Sequence, residues 1–161
     1  MKKSSVLFVC MGNICRSPAA EAVMRSVAKS SQQDIQIESA ATEAYHVGER
    51  PDARMRKAAA ARGFSLDSRG RHVNANDLAA GSYDLVVAMD HANVRRLRSI
   101  ASTEVSHVRL FSEFLDDGWP EEVPDPYYGG DAGFEQVLDM LEAGCPRLLE
   151  SLTNNQKEDD A

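Results

Sequence analysis

Apolar residues in this chain fall in short unbroken runs, separated by longer stretches in which they recur at helical spacing. Val6–Cys10 is the first run and predicts a buried strand, and a helical pattern follows from Pro18 to about Lys29. Ile35–Glu38 predicts a short second strand. Asp52 to Arg62 is an alanine-rich stretch that Gly63 ends, the usual mark of a helix C-terminus. Leu85–Met89 predicts a third strand, with a helix from about His91 to Ile100 whose start Asp90 and Asn93 are placed to cap. Val105–Leu110 alternates as a fourth strand. From Asp131 to Leu152, Leu138, Leu141, Cys145, Leu148, Leu149 and Leu152 share one helical face.

Strands that alternate with helices imply a three-layer α/β fold, a four-stranded parallel sheet with helices on both faces. Ligands of such sheets bind beyond the carboxyl ends of the strands. No repeat or linker divides the chain, so residues 1–153 are expected to form one domain. The polar, acidic stretch 154–161 is expected to be a disordered tail.

With 161 residues the chain is one ordinary domain, and its 43% hydrophobic and 27% charged residues are those of a soluble globular protein. A net charge of −7 argues against nucleic-acid and acidic-membrane partners. Met1-Lys2-Lys3 precedes an apolar run too short for a signal peptide, and no segment approaches membrane-spanning length. Three cysteines with no framework spacing suit free thiols and a cytoplasmic location. His46, His91 and His107 have no metal-ligand spacing, so no metal site is expected.

The chemistry is concentrated in residues 6–21, V-L-F-V-C-M-G-N-I-C-R-S-P-A-A-E. A strand delivers the Cys10 thiol into a loop, and a helix starts immediately after it. Backbone N–H groups in such a loop bind an anion, and the helix dipole adds to their field. The field that holds a phosphate also stabilises a thiolate, which makes Cys10 a candidate nucleophile. Met11, Gly12, Asn13, Ile14 and Cys15 form the loop, with Gly12 where the backbone turns and Asn13 able to hold left-handed geometry. Arg16 presents a planar fork to two phosphate oxygens, Ser17 adds a hydroxyl, and Pro18 falls in the first helical turn, where its missing N–H costs nothing.

The leaving oxygen of a phosphate ester needs a proton, so a general acid is required. Asp125, in V-P-D-P-Y-Y-G-G, is the best candidate: Pro124 and Pro126 stiffen its loop and Gly129-Gly130 end it. Tyr127 and Tyr128 offer flat apolar surface beside it.

With those residues in view, the chain resembles the low-molecular-weight protein tyrosine phosphatases over roughly residues 5 to 152. The resemblance rests on C-M-G-N-I-C-R-S-P-A-A-E-A, Y-H-V-G at 45–48, A-M-D-H-A-N at 88–93 and D-P-Y-Y-G. It implies the flavodoxin-like fold of that family and hydrolysis of phosphotyrosyl proteins through a phosphocysteine, without metal or other cofactor. It makes Cys10 the nucleophile, Arg16 the phosphate clamp, Ser17 the support of the thiolate, Asn13 the keeper of the loop's shape, and Asp125 the acid and then the base. Met11, Ile14, Tyr45, Tyr127 and Tyr128 would line the aryl cleft. It further implies a reversible disulfide between Cys15 and Cys10, against the plainer reading of Cys15 as a small buried side chain. A monomer or weak dimer is expected.

The chain departs from the family's common pattern at Ala41, where glycine is frequent, and at Tyr45, where many members have tryptophan. Ser68 precedes Arg69 and Arg71 near a place where some members carry histidine, and His72 reads as a surface histidine. Cys145, Met55, Met89 and Met140 read as core, and Trp119 as exposed beside the Asp125 loop. A protein-arginine phosphatase of the same superfamily is an alternative, although such enzymes tend to carry threonine where Ile14 stands. An arsenate reductase would need a mid-chain cysteine, and none lies between Cys15 and Cys145. An inactive phosphopeptide-binding module would be expected to lack Cys10, Arg16 or Asp125.

Overall fold

The computed structural model describes residues 3–160, with side chains from 3 to 154. Met1, Lys2 and Ala161, the outer ends of the expected domain and tail, lie outside the described residues. Four parallel strands form one sheet: β1 (Ser4–Cys10), β2 (Ile35–Ala41), β3 (Leu85–Ala88) and β4 (Val108–Leu110). Their order is β2-β1-β3-β4. The helices are α1 (Arg16–Ser30), α2 (Ala53–Ala60), α3 (His91–Ile100) and α4 (Asp131–Asp160).

β1 lies inside the sheet with every residue buried, as an apolar strand covered on both faces must be. Val6, Phe8 and Cys10 point into the larger core, with the apolar faces of α1, α2 and α4. Leu7 and Val9 point the other way, into a smaller core with Leu78, Val86, Val94 and Leu97 beneath α3. Cys145, Met55, Met89 and Met140 are fully buried, as expected of core residues.

Several boundaries differ from the sequence pattern for identifiable reasons. β2 continues from Glu38 to Ala41 because those residues pair with Leu7 through Cys10 of β1, whatever the weak strand preference of alanine. The expected strand 105–110 keeps only its second half, since the N–H of Val108 turns back onto the carbonyl of Val105 at 3.1 Å. Two 3₁₀ turns, Ala75–Leu78 and Phe111–Phe114, have no periodicity to announce them. The largest correction is at the C-terminus. Residues 154–160, expected to begin a disordered tail, continue α4 to Asp160. A helix already anchored by Leu148 and Leu152 adds one backbone bond per residue, and Gln156, Lys157 and Glu158 are good helix formers.

Gly144 lies within α4, where alanine would be the better helix former. A Cβ there would fall 2.5 Å from Cζ of the fully buried Phe111 ring. Overpacking of that kind outweighs the propensity gain, so Gly144→Ala should lower stability by about 1–2 kcal/mol. Urea unfolding followed by circular dichroism checks this, and a raised midpoint would refute it.

Candidate active site

The chain leaves β1 on one side for β2 and returns on the other side as β3, which opens a crevice at the carboxyl ends of β1 and β3. Cys10 ends β1, and Asp90 follows β3 as the N-cap of α3. Between Cys10 and α1, Asn13 takes φ 58°, the left-handed conformation that turns the loop. Its backbone N–H then donates to Cys10 Sγ at 3.3 Å. α1 starts at Arg16 with no side-chain cap and no acid in its first turn. Its free N–H groups and positive dipole end are therefore available to an anion at the cleft that Cys15 and Arg16 line.

Ser17 Oγ lies 3.0 Å from Cys10 Sγ. Asn13 Nδ2 donates to Ser17 Oγ at 2.7 Å and to Ser39 Oγ at 3.0 Å. Ser39 Oγ in turn donates to Glu21 Oε1 at 2.6 Å, and Arg25 donates to the other oxygen of Glu21. The N–H of Arg71 donates to Asn13 Oδ1 at 3.1 Å, so every polar atom of this buried amide has a partner. With Asn13 donating to the Ser17 oxygen, the serine hydroxyl proton has Cys10 Sγ at 3.0 Å and, farther off, the Ala40 carbonyl oxygen at 3.5 Å as acceptors. A backbone group, rather than a histidine, completes the Asn13 network, while His72 Nε2 lies 3.0 Å from the carbonyl oxygen of Thr42.

Arg16 is 3% exposed. Its Nη1 donates to Asp90 Oδ2 at 2.7 Å and to the Val123 carbonyl at 3.1 Å, while Nη2 lies 3.7 Å from Asp125 Oδ2. Burial works against the guanidinium charge, but the Cys10 charge and the Asp90 bond outweigh it and hold its pKa above the ordinary arginine value. Asp90 caps α3 as expected, accepting from the N–H of Asn93 at 2.8 Å. Its second role, as the partner of Arg16, is one that sequence reasoning missed. Its position just beyond the carboxyl end of β3 was the available signal.

Cys10, Met11, Gly12, Ile14, Cys15, Arg16, Tyr45, Asp125, Tyr127 and Tyr128 line one cleft of about 270 Å³. Tyr127 and Tyr128 meet edge to face, their centroids 4.9 Å apart. Tyr128 is 87% exposed and Tyr45 71%, so large rings stand in water at the rim. Trp119 is partly exposed but is not among the cleft's lining residues. His46, which carries no signal in the sequence beyond its lack of metal spacing, lines the cleft as well, with Nδ1 bonded to the Glu49 carboxylate. Its loop is docked on Gly70, whose N–H donates to the Glu49 carbonyl at 2.9 Å. A Cβ on Gly70 would sit 2.3 Å from the His46 carbonyl oxygen, so only glycine permits that approach.

Cys15 is buried, and desolvation, with the charges of Asp52 and Cys10, pushes its thiol far above the usual range. Among the described residues, no group of three His, Cys, Asp or Glu side chains is placed to hold a metal ion. Nor is any helix among them long and apolar enough to cross a membrane. The arrangement can bind a dianion against the loop N–H groups and Arg16, set a sulfur nucleophile beneath it, and bring a carboxyl group to the far side.

Residues 5–158 match the family described as low molecular weight phosphotyrosine protein phosphatase. The low molecular weight protein-tyrosine-phosphatase YfkJ of Bacillus subtilis is 39% identical over 158 residues, covering 96% of this chain and 97% of the relative. A crystal structure of a protein tyrosine phosphatase from Entamoeba histolytica superposes with a TM-score of 0.90 at 39% identity, over 96% of this chain and 99% of that one. A Drosophila arginine phosphatase superposes with a TM-score of 0.82 at 30% identity, over 91% and 96% of the two chains.

Proposed function

Since the chain belongs to the low molecular weight phosphotyrosine protein phosphatase family, we propose that Cys10, Arg16 and Asp125 hydrolyse phosphotyrosine by two in-line displacements at phosphorus. The observation that carries this reading is the convergence of the three side chains on one cleft, above the buried Ser17–Asn13 network.

In the first displacement the Cys10 thiolate attacks phosphorus while the loop N–H groups and the Arg16 fork hold the non-bridging oxygens. Asp125 gives its proton to the departing phenol oxygen. In the second, the Asp125 carboxylate takes a proton from water as that water attacks the phosphocysteine. Phosphate leaves, and the Ser17 hydroxyl donates to the departing sulfur. Ser17 therefore acts in both steps by favouring the anionic form of Cys10.

The choice of an aryl ester is supported by Ile14 and by the rings of Tyr45, Tyr127 and Tyr128 around the cleft, an apolar lining suited to a phenyl ring. A guanidinium would need polar partners there. Phosphate release from a phosphotyrosyl peptide and a phosphoarginyl protein, compared without metal, tests the choice. Preference for phosphoarginine would overturn it while leaving Cys10 and Arg16 in role.

Asp125→Asn should lower kcat/KM for phenyl phosphate by about 100-fold and shift the pH profile, since an amide can neither give nor take the proton. A poor phenolate leaving group suffers most, so an equal loss for an activated nitrophenyl ester would count against Asp125 as the acid.

A peroxide that oxidises Cys10 to a sulfenic acid, itself reduced to water or an alcohol, would let the Cys15 thiol attack that sulfur, releasing water and closing a disulfide that a thiol reductant reopens. Both cysteines are free and both line the cleft, which supports that reading. Three unpaired thiols also suit the reducing cytoplasm.

A further inference from the structure

The loop that carries Asp125 is tied to the phosphate loop by a route that does not pass through the substrate. The N–H of Asp52 donates to the carbonyl of Ile14 at 2.8 Å, which fixes the start of α2 against the phosphate loop. The Asp52 carboxylate caps α2 by accepting from the N–H of Arg54 at 2.8 Å, and also accepts from the Arg54 side chain, Nε at 3.2 Å and Nη2 at 3.0 Å. Nη2 of Arg54 also donates across the cleft wall to the carbonyl of Tyr127 at 3.0 Å. The N–H of Tyr127, at the other end of the same residue, donates to Asp125 Oδ1 at 3.0 Å. The guanidinium carbon lies 5.4 Å from the Tyr127 ring centroid and 4.8 Å from that of Phe134, a buried residue of α4.

We infer that Arg54 is a positioning residue for the proton donor: its guanidinium latches the Tyr127 carbonyl to α2 and so fixes where Asp125 stands over the phosphate loop. This rests on the phosphatase reading above. Three features make the latch directional. Asp52 holds the fork by two nitrogens, so the Nη2 proton aimed at Tyr127 is set by the fork's planarity rather than by chance. The guanidinium also lies over the rings of Tyr127 and Phe134, which adds two cation–π contacts. Asp125 otherwise stands on a half-exposed loop between two prolines, tied to Arg16 on its N-terminal side by the Val123 carbonyl at 3.1 Å and by the 3.7 Å approach of Asp125 itself. A phosphate that takes the Nη2 side of the Arg16 fork would compete with that approach, leaving the Val123 bond before Asp125 and the Tyr127 bond after it to set the placement.

Arg54 does not touch the reacting atoms, so its loss should appear only where proton transfer to the leaving group matters. The experiment compares kcat/KM for phenyl phosphate and for 2,4-dinitrophenyl phosphate in the full chain and four variants. Asp125→Asn sets the reference, with a large loss on the first ester and little on the second. Arg54→Ala should lose about 10-fold on phenyl phosphate, as expected of a small misplacement of the acid, and little on the dinitrophenyl ester. The double variant should be no worse than Asp125→Asn alone, because the two changes disable one function. Arg54→Lys keeps the charge but not the fork, and should fall between Arg54→Ala and the unaltered enzyme. Equal losses on both esters for Arg54→Ala, or additive losses in the double variant, would overturn the inference. Failure of the phosphatase reading is recognised separately, with Arg54 intact: Asp125→Asn would then affect both esters alike. Arg54 is 44% exposed and Asp52 keeps its backbone bonds, so the variants should retain the far-ultraviolet dichroism of the parent.

Discussion

Cys10→Ser should leave no measurable phosphotyrosine turnover, a loss on the order of 10⁶-fold in kcat. The reason lies in what surrounds the sulfur. Its near neighbours, the Asn13 N–H at 3.3 Å and the Ser17 hydroxyl at 3.0 Å, are placed to donate to an anion. Among the described residues, no imidazole or carboxylate stands in hydrogen-bond contact with Sγ to serve as a base. A thiol can enter that environment as a thiolate, whereas a serine hydroxyl is far too weak an acid and finds nothing to take its proton. Serine is close to cysteine in shape, so the core around position 10 should survive, with the phosphate cradle and Arg16 in place. The variant should therefore still bind a phosphotyrosyl peptide, which calorimetry reads directly. Turnover within a thousandfold of the parent would remove Cys10 from its role. Loss of binding together with turnover would mean that the cradle depends on the sulfur for its shape.

Arg16→Lys should lower kcat/KM by about 10³-fold or more, the scale on which a transition-state arginine acts in phosphoryl transfer. Lysine keeps the charge, but a single ammonium cannot bond Asp90, the Val123 carbonyl and two phosphate oxygens from one rigid plane. Arg16→Ala adds a cost in stability, because Asp90 loses the buried cation bonded to it at 2.7 Å and Asp125 the one 3.7 Å from it. Removing one partner of a largely buried pair on that pattern costs about 3 kcal/mol. Steady-state kinetics and urea unfolding on the two variants separate these effects. A lysine variant with near-parental kcat/KM would show that Arg16 supplies charge alone.

Much of this architecture is legible in the amino-acid sequence, and particular residues explain why. Cys10, Arg16 and Ser17 lie within one turn of chain, so their spacing already implies that they share a cradle. The pattern of Leu138, Leu141, Cys145, Leu148, Leu149 and Leu152 names its own buried face, and all of these residues are in the core. Helix α3 runs from His91 to Ile100 as the capping residues and periodicity indicate. Other features leave no local trace. Val105 looks like a strand residue, yet it opens a turn that leads into β4 at Val108. Residues 154–160 look like a solvated tail, yet they extend a helix that is anchored far earlier.

The division follows range. Local periodicity, turn chemistry and the composition of one loop act between neighbours in the chain, and they sufficed for the α/β class and for proposing Cys10 as nucleophile and its loop as anion site. Which strand lies beside β1 is a matter of pairing over distances the pattern does not encode, and that pairing brings Asp90 and Asp125 to Arg16. It also sets Ser39 and the Arg71 N–H against Asn13, and Arg54 against the Tyr127 carbonyl. Those contacts join residues tens of positions apart and form only once the sheet is assembled. The tertiary structure therefore decided which contacts brace the loop after Cys10 and which hold Asp125, the proposed proton donor, beside it.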